Sequence, residues 1–378
     1  MKTQMIGDVL QSFNSARLPV KAVERTRGKT PYLGASGVVD YVDGFTHEGS
    51  YLCVAEDGAN LLTRSLPIAW MQEGKFWANN HLHVLGGVNR NRLKFFQYAI
   101  ELANIASFVT GSAQPKLNQA SLLRVEVPAF GRMQENIIGG FLGSLDDKIA
   151  ANNDVVSASN ELIRNLYRAL PESSRTLNEV ASLAKNNEQP HRFLPDKRLV
   201  GLEHFDPKSL WLPRSSEPET ATSAKTKFQA GDTLFGKLRP YFHKVAIAPF
   251  DGYCSTDILV LRAENPLHSP LVAAAANSDA VVQQAVNSSN GTRMPRAKWT
   301  DIEGCPIPDP DAPATLEFIE FAATLIQDAT ARLEENKALA KTRDELLPLL
   351  MSGKISVREA GQEAAAAGAP IPGEENEV

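Results

Sequence analysis

Cysteine is scarce: Cys53, Cys254 and Cys305 are the only three in 378 residues, and they lie far apart in the chain. That excludes a disulfide framework and suits a reducing compartment. No apolar run approaches the roughly 18 residues of a membrane span. The start, MKTQMIGDVL, has no apolar stretch of the kind that directs export, so a cytoplasmic chain without membrane partners is expected. No strand–GxGxxG–helix fingerprint occurs. TRGKT (26–30) ends like a phosphate-binding loop, but Val23 stands where that loop needs glycine, and Pro31 follows where a helix should continue. The chain has no Pro-Pro dipeptide, which removes the Asn/Asp-Pro-Pro-aromatic motif of amino-methyltransferases. His81 and His83, two apart on a presumed strand, lack CxxC or HExxH company and read as structural rather than metal-ligating. No nucleophile–base arrangement stands at a recognisable motif. The sequence therefore points away from an enzyme and from any bound cofactor. It also lacks a basic excess: the formal net charge is −5, so a nucleic-acid role has to rest on local charge.

What is present is a repeat. TGSAQPKLNQASLLRVEVP (110–128) and NGTRMPRAKWTDIEGCPIP (290–308) share glycine second and proline sixth, and each ends in an apolar residue followed by proline. In the same register Gly111 meets Gly291, Pro115 meets Pro295 and Pro128 meets Pro308. Without a gap, Phe141 then meets Phe321, Leu145 meets Leu325, and Leu170 meets Leu350. Helical periodicity would not make proline recur; an ancestral duplication does. Upstream, GKFWANNHLHVL (74–85) resembles DGYCSTDILVL (251–261), each a strand-like alternation.

Each repeat divides into a mixed part and a long helix. YLCVA (51–55), HLHVL (81–85), DTLFGKL (232–238) and DILVLR (257–262) read as short strands between glycine, asparagine and proline turns. From Met133 to Leu170 apolar residues recur at near-heptad spacing: Ile138, Phe141, Leu145, Ile149, Val156, Leu162 and Leu166. A second such helix starts near Asp311 and Pro313. Burying the two stripes against each other requires an antiparallel pair, and 38 helical residues make a rod of roughly 57 Å. Asn152 and Ser159 put polar groups on that seam. The expected fold is α+β: two similar mixed α/β recognition domains separated by two long antiparallel helices, with a pseudo-twofold internal duplication. The expected boundaries are a first domain at 1–130, a helix at 131–171, a second domain at 172–311, a helix at 312–356 and a disordered acidic tail at 357–378.

Charge is uneven. Lys185 to Lys244 carries 11 Lys and Arg against 7 Asp and Glu, while the tail from Glu359 is purely acidic. Within GKLRPYFHK (236–244), Lys237, Arg239, Tyr241 and Lys244 are candidates for DNA contact, since Lys and Arg neutralise phosphates and Arg can read guanine. The loop GTRMPRAK adds Arg293, Arg296 and Lys298. Its counterpart offers Gln114 and Lys116, and NRNRLK (89–94) offers Arg90, Arg92 and Lys94.

In this order, the duplicated loops, TPYLGASGVVDYVDGF (30–45), GDTLFGKLRPYFHKVAIAPFDGYCSTDILVL (231–261) and the helix endings SLDDKIAANN (144–153) and RDELLPLLMSGKISV (343–357) resemble the specificity subunit of type I restriction–modification enzymes. The resemblance covers about 32–357. It implies two target-recognition domains, each reading half of an interrupted double-stranded DNA site, with the helices setting the spacer. It further implies docking of two DNA adenine methyltransferase (modification) subunits, and of ATP-dependent restriction subunits where a nuclease is present. The polar seam positions and the acidic tail depart from that pattern. Two rival readings stand beside it: a stand-alone duplicated DNA-binding regulator, and a coiled-coil scaffold that binds no nucleic acid.

Overall fold

The computed structural model describes residues 2–111, 113–289 and 294–366. Its contacts divide the chain into two units, one made of residues 1–149 and 337–378, the other of residues 150–336.

The first unit is built on a six-stranded sheet. Its strands are β2 (Gln11–Ser12), β3 (Arg27–Gly34), β4 (Gly37–Val42), β5 (His47–Ala55), β6 (Ala69–Ala78) and β7 (Leu82–Gly86), in the order β2-β7-β5-β6-β3-β4; β1 (Thr3–Met5) pairs separately with β8 (Glu126–Pro128). The end of β5 is apolar on both faces, because both are covered. Leu52 and Val54 face a core with Phe95, Phe96 and Ile100, while Cys53 joins Leu33, Phe76 and Val84 on the other side. A single turn, α1 (Asn60–Thr63), follows β5. Phe95 and Phe96 of the first core come from α2 (Arg90–Leu102), capped by Asn89, whose side chain accepts from the Arg92 main-chain nitrogen. A short α3 (Gln119–Leu123) leads to β8, and α4 (Arg132–Ala169) follows.

The second unit carries two four-stranded sheets in place of one of six. They are β14-β13-β16-β9 and β10-β12-β15-β11, with β9 (Ala181–Ala184), β10 (Asn187–Glu188), β11 (Arg198–Val200), β12 (Lys225–Phe228), β13 (Thr233–Gly236), β14 (Val245–Ile247), β15 (Gly252–Cys254) and β16 (Ile258–Ala263). Helices α5 (Ser269–Ala276), α6 (Asp279–Ser288) and α7 (Trp299–Ile302) precede α8 (Pro313–Met351).

The duplication is visible bond by bond. Cys53 pairs with Val84 in the first unit as Leu234 pairs with Val260 in the second, so β5/β7 and β13/β16 hold equivalent places. The Ile6 nitrogen donates to the Val125 carbonyl and the Leu177 nitrogen to the Cys305 carbonyl, both at 3.0 Å. The likeness between GKFWANNHLHVL and DGYCSTDILVL holds for their second halves, β7 and β16. It fails for the first halves: β14, not β15, takes the place beside β13 that β6 takes beside β5, and β15 belongs to the other sheet.

The two long helices have 38 and 39 residues. Each contributes to both units, α4 changing over at residue 150 and α8 at 337. In the first unit Ile138, Phe141, Leu142 and Leu145 share a core with Leu339, Leu346 and Leu350, and Asp146 pairs with Arg343 at 2.6 Å. In the second unit Asn152 meets Asn336 while Tyr167 meets Phe318, so the pairing there is antiparallel. The apolar stripe differs from expectation at two points. Leu162 and Phe321 are exposed, while Ile163 is fully buried. Asn152, at 1 % exposure, donates to Asn336 at 2.9 Å and to Glu335 at 2.7 Å, and accepts from Arg332 at 3.0 Å. A polar layer thus crosses the seam with its hydrogen bonds made, as a buried polar group requires.

The tail departs from the expected disorder. Residues 357–366 form α9 (Val357–Ala366). The Ser356 hydroxyl and main-chain nitrogen both donate to the Glu359 carboxylate, and Ala360 and Ala364 enter the first unit's core. The tail's alanines are good helix formers presenting one small apolar face. Residues 367–378 lie outside the described residues. Among the described residues no helix is long and apolar enough to cross a membrane.

Candidate nucleic-acid interface

In the first unit the duplicated loop closes on itself: the Thr110 nitrogen donates to the Lys116 carbonyl at 2.8 Å and the Lys116 nitrogen returns a bond at 2.7 Å. Gly111 sits at φ +87°, and a Cβ there would lie 2.5 Å from the Gln114 carbonyl oxygen, so glycine is required. The loop is stitched to the end of β5. The Gly58 nitrogen donates to the Pro115 carbonyl at 3.0 Å, and the Leu117 nitrogen donates to the Glu56 carbonyl at 2.8 Å. The second unit repeats both stitches at the end of β13: Arg239 to the Pro295 carbonyl at 2.8 Å, and Ala297 to the Lys237 carbonyl at 2.9 Å. Leu117 and Ala297 are both buried as the plug of the corner.

On this shared backbone the side chains carry opposite charge. Glu56, Asp57 and Gly58 of the first unit correspond to Lys237, Leu238 and Arg239 of the second. The Glu56 carboxylate is 2.6 Å from Arg17, 3.1 Å from Lys116 and 3.7 Å from the His83 ring. Burial works to raise its pKa, but hydrogen bonds from Arg17 and Lys116 outweigh that and hold it below the usual value. His83 is fully buried; its Nε2 donates to the Leu117 carbonyl at 2.7 Å, leaving Nδ1 to accept from the Asn14 amide at 2.9 Å. Burial pushes its pKa down despite the Leu117 carbonyl and Glu56, which fits this neutral form. His81 pairs with Asp57 at 2.6 Å. Lys116 is therefore half exposed but already neutralised, and Gln114 beside it is exposed.

The second corner is the basic one. Arg296 pairs with Asp257 at 3.2 Å, but Lys237, Arg239 and Lys298 make no ion pair among the described residues. Arg239 holds φ +52°, a left-handed backbone that glycine takes in the first unit, where Gly58 has φ +113°. For a residue with a Cβ this costs roughly 1–2 kcal/mol, and such strain gathers at functional sites. The bond to Pro295 and the following Pro240 hold it there. Tyr241 and Phe242 stand half exposed with ring centroids 4.8 Å apart. Lys244 is tied inward, its amine donating to the Leu202 carbonyl at 2.7 Å. Arg293 lies outside the described residues.

Three candidates do not belong to an open basic face. Arg90 lies 2.5 Å from Glu73 and 2.7 Å from Asp147, Arg92 pairs with Glu135 at 2.6 Å, and Lys94 lies 3.3 Å from Asp146. Spaced two apart near the start of α2, they reach carboxylates that are mostly on α4, and Glu135 and Lys94 are buried. They fasten α2 to α4. Sequence reasoning missed Arg17, Glu56 and Asn14, which share the first corner with Lys116. They come from three separated segments, and no local spacing signals them.

Residues 1–156 match the family profile of the type I restriction modification DNA specificity domain. A Haemophilus influenzae chain named for the type I restriction enzyme specificity subunit is 39% identical over 123 residues, which is 32% of this chain and 31% of that one. The type I restriction enzyme EcoDI specificity subunit of Escherichia coli is 28% identical over 172 residues, 44% of this chain and 37% of its own. The chain thus spans about a third of the length of these relatives. The crystal structure of the S subunit of a type I restriction-modification system from M. genitalium shares the fold. It has a TM-score of 0.61 and 14% identity, covering 92% of this chain and 95% of that one. The likeness to the type I restriction modification DNA specificity domain is thus carried by residues 1–156.

Proposed function

We propose that this chain is the sequence-specific DNA-recognition subunit of a type I restriction–modification complex, itself without catalytic chemistry. The recognition domains, residues 1–130 and 172–311, each take half of an interrupted duplex site. The long helices, 131–171 and 312–356, set the number of unread bases and seat two adenine methyltransferase subunits, with ATP-dependent restriction subunits joining where cleavage occurs. The observation that supports this most is the repeated corner: identical main-chain stitches carry different side chains, as one scaffold presenting two different readers would.

Phosphate contacts supply affinity and register, while base-edge contacts supply choice. Lys237 and Lys298 suit phosphates. Arg239 suits a bidentate contact to guanine in the major groove, and Arg296 and Tyr241 stand beside it. Gln114 and Lys116 are the matching positions of the first unit, Lys116 weakened as a phosphate ligand by Glu56. A net charge of −5 opposes DNA approach, so the methyltransferase subunits contribute part of the affinity.

Duplex binding of the full chain alone and with a type I adenine methyltransferase subunit, followed by fluorescence anisotropy, tests this. Tighter binding in the complex is expected; equal affinities refute the sharing of affinity. Sequencing of methylated adenines in cells expressing the complex should give a bipartite site. Inserting one heptad into both long helices should lengthen its spacer and leave both half-sites unchanged.

A further inference from the structure

The stretch that follows the corner differs between the units. In the first it is α1, which buries Leu61 at 1 % exposure and ends at Arg64, whose φ is +52°. In the second it is a single 3-10 turn, Pro240–Phe242, set between Arg239 and His243, whose φ values are +52° and +51°. That turn buries only Pro240. Tyr241 is 53 % exposed and Phe242 45 %, with their ring planes 53° apart.

The turn is held from behind. The Phe242 nitrogen donates to the Arg239 carbonyl at 3.0 Å and the His243 nitrogen to the Pro240 carbonyl at 2.8 Å. The buried His243 ring donates through Nε2 to the Asn277 carbonyl at 2.9 Å, and the Asn277 amide donates to the Val245 carbonyl at 3.0 Å. The Lys208 nitrogen donates to the His243 carbonyl at 2.8 Å, and Lys208 itself has φ +60°. Arg239, His243 and Lys208 thus all adopt a left-handed backbone that a residue with a Cβ disfavours. Strain of this kind persists where the surroundings enforce it, and here it keeps two neighbouring aromatic rings in water.

We propose that Phe242 is a wedge that enters between stacked base pairs of a DNA duplex, with Tyr241 beside it. The inference rests on the DNA-recognition reading above and adds a contact that responds to the deformability of the duplex rather than to base edges. The neighbours name the ligand. Lys237 and Arg239, just before the turn, make no ion pair among the described residues, so the rings stand beside free positive charge, as a polyanion requires. An apolar ring pushed between two base pairs unstacks the step and kinks the helix. With 53° between the two planes, only one ring can lie parallel to the bases, and Phe242 is the one without a hydroxyl to keep wet. Pyrimidine–purine steps unstack most easily, so the half-site read by the second unit should contain one beside the base that Arg239 contacts. The first unit buries Leu61 at this place and has no such wedge.

The probes are two duplexes of the same mixed sequence, one with a single abasic position at its centre, where the stack is already broken. The full chain, with and without a type I adenine methyltransferase subunit, should bind the abasic duplex about fivefold or more tightly than the intact one. Phe242→Ala should bring the two affinities within about twofold of each other and leave the salt dependence unchanged, because no charge is removed. Phe242→Trp should keep the preference, and Lys237→Ala with Arg239→Ala should weaken both duplexes alike. Phe242 is exposed, and circular dichroism would verify that each variant is folded. Equal wild-type affinity for the two duplexes, or a preference that survives Phe242→Ala, would overturn the wedge and leave DNA recognition standing. A Phe242→Ala chain that keeps the preference but loses the methyltransferase subunit would assign the rings to a protein contact instead. Binding of neither duplex would sink DNA recognition itself, and the wedge with it.

Discussion

The same corner is built twice in this chain, and the two copies differ in what is left over for a ligand. In the first unit Glu56 consumes the charge of Arg17 and Lys116, and Asp57 is held by the His81 ring. In the second, Lys237 and Leu238 replace the acids and Arg239 replaces Gly58, and the one arginine that is paired, Arg296, is bound by Asp257. The long-helix seams differ in the same sense. Ion pairs fasten α2 to α4, while the matching face of α8 is apolar and open. A duplicated backbone thus fixes where side chains stand, and each copy's own charge decides whether they are spent on the fold or offered outward.

The sharpest way to break this comparison is to remove one ion pair and look at the equivalent site. Arg92→Leu leaves the carboxylate of Glu135, which is 0% exposed, without its guanidinium. It should cost about 3–5 kcal/mol, measured by urea denaturation. The matching residue of α8 is Thr315, whose buried hydroxyl has no hydrogen-bond partner among the described residues. Thr315→Val should therefore be neutral or stabilise by up to about 1 kcal/mol.

On DNA the asymmetry should reverse. Lys237→Ala with Arg239→Ala is expected to weaken binding by about 10–100-fold and to lower the salt slope by about 2. Lys116→Ala should change the slope by less than about 1, because Glu56 already neutralises that lysine. Equal slopes for the two sets would remove the distinction between the corners.

Acid acts on both units. Burial holds the imidazoles of His47, His83, His204 and His243 below their usual pKa. Between those lowered values and about 6.5 the unfolded chain binds more protons than the folded one. Stability should fall as the pH drops below about 6.5, and His83→Gln should flatten that part of the curve. Chemical denaturation at several pH values would show an unchanged slope if His83 took no part.

The smallest effect concerns the left-handed position itself. Gly58→Ala should destabilise by about 1 kcal/mol, and Arg239→Gly should stabilise by up to about 1 kcal/mol while weakening DNA binding. If Arg239→Gly left binding unchanged, the strained arginine would have no ligand role.

Much of the fold was legible because its signals are local. Near-heptad spacing and flanking prolines announced both long helices, and recurring Gly111/Gly291 and Pro115/Pro295 announced the duplicated loop. What could not be read depended on distant partners. NRNRLK reads as a basic patch until Asp146, Asp147 and Glu135 arrive from α4. Leu162 fits a heptad stripe as well as Ile163 does, and only packing in the second unit selects between them. The tail's composition suggested disorder because its alanines and glutamates gave no hint of the core waiting for Ala360 and Ala364.

The sequence by itself determined the doubled body plan, the two long helices and the absence of a basic excess, since periodicity, proline placement and charge are properties of the chain before it folds. Only the tertiary structure decided which cations remain available, which helix face stays uncovered, and that an arginine sits where its counterpart is glycine. Those depend on which groups from separate elements meet in the fold, and at contact distance a charge is either neutralised by its neighbour or left for a ligand.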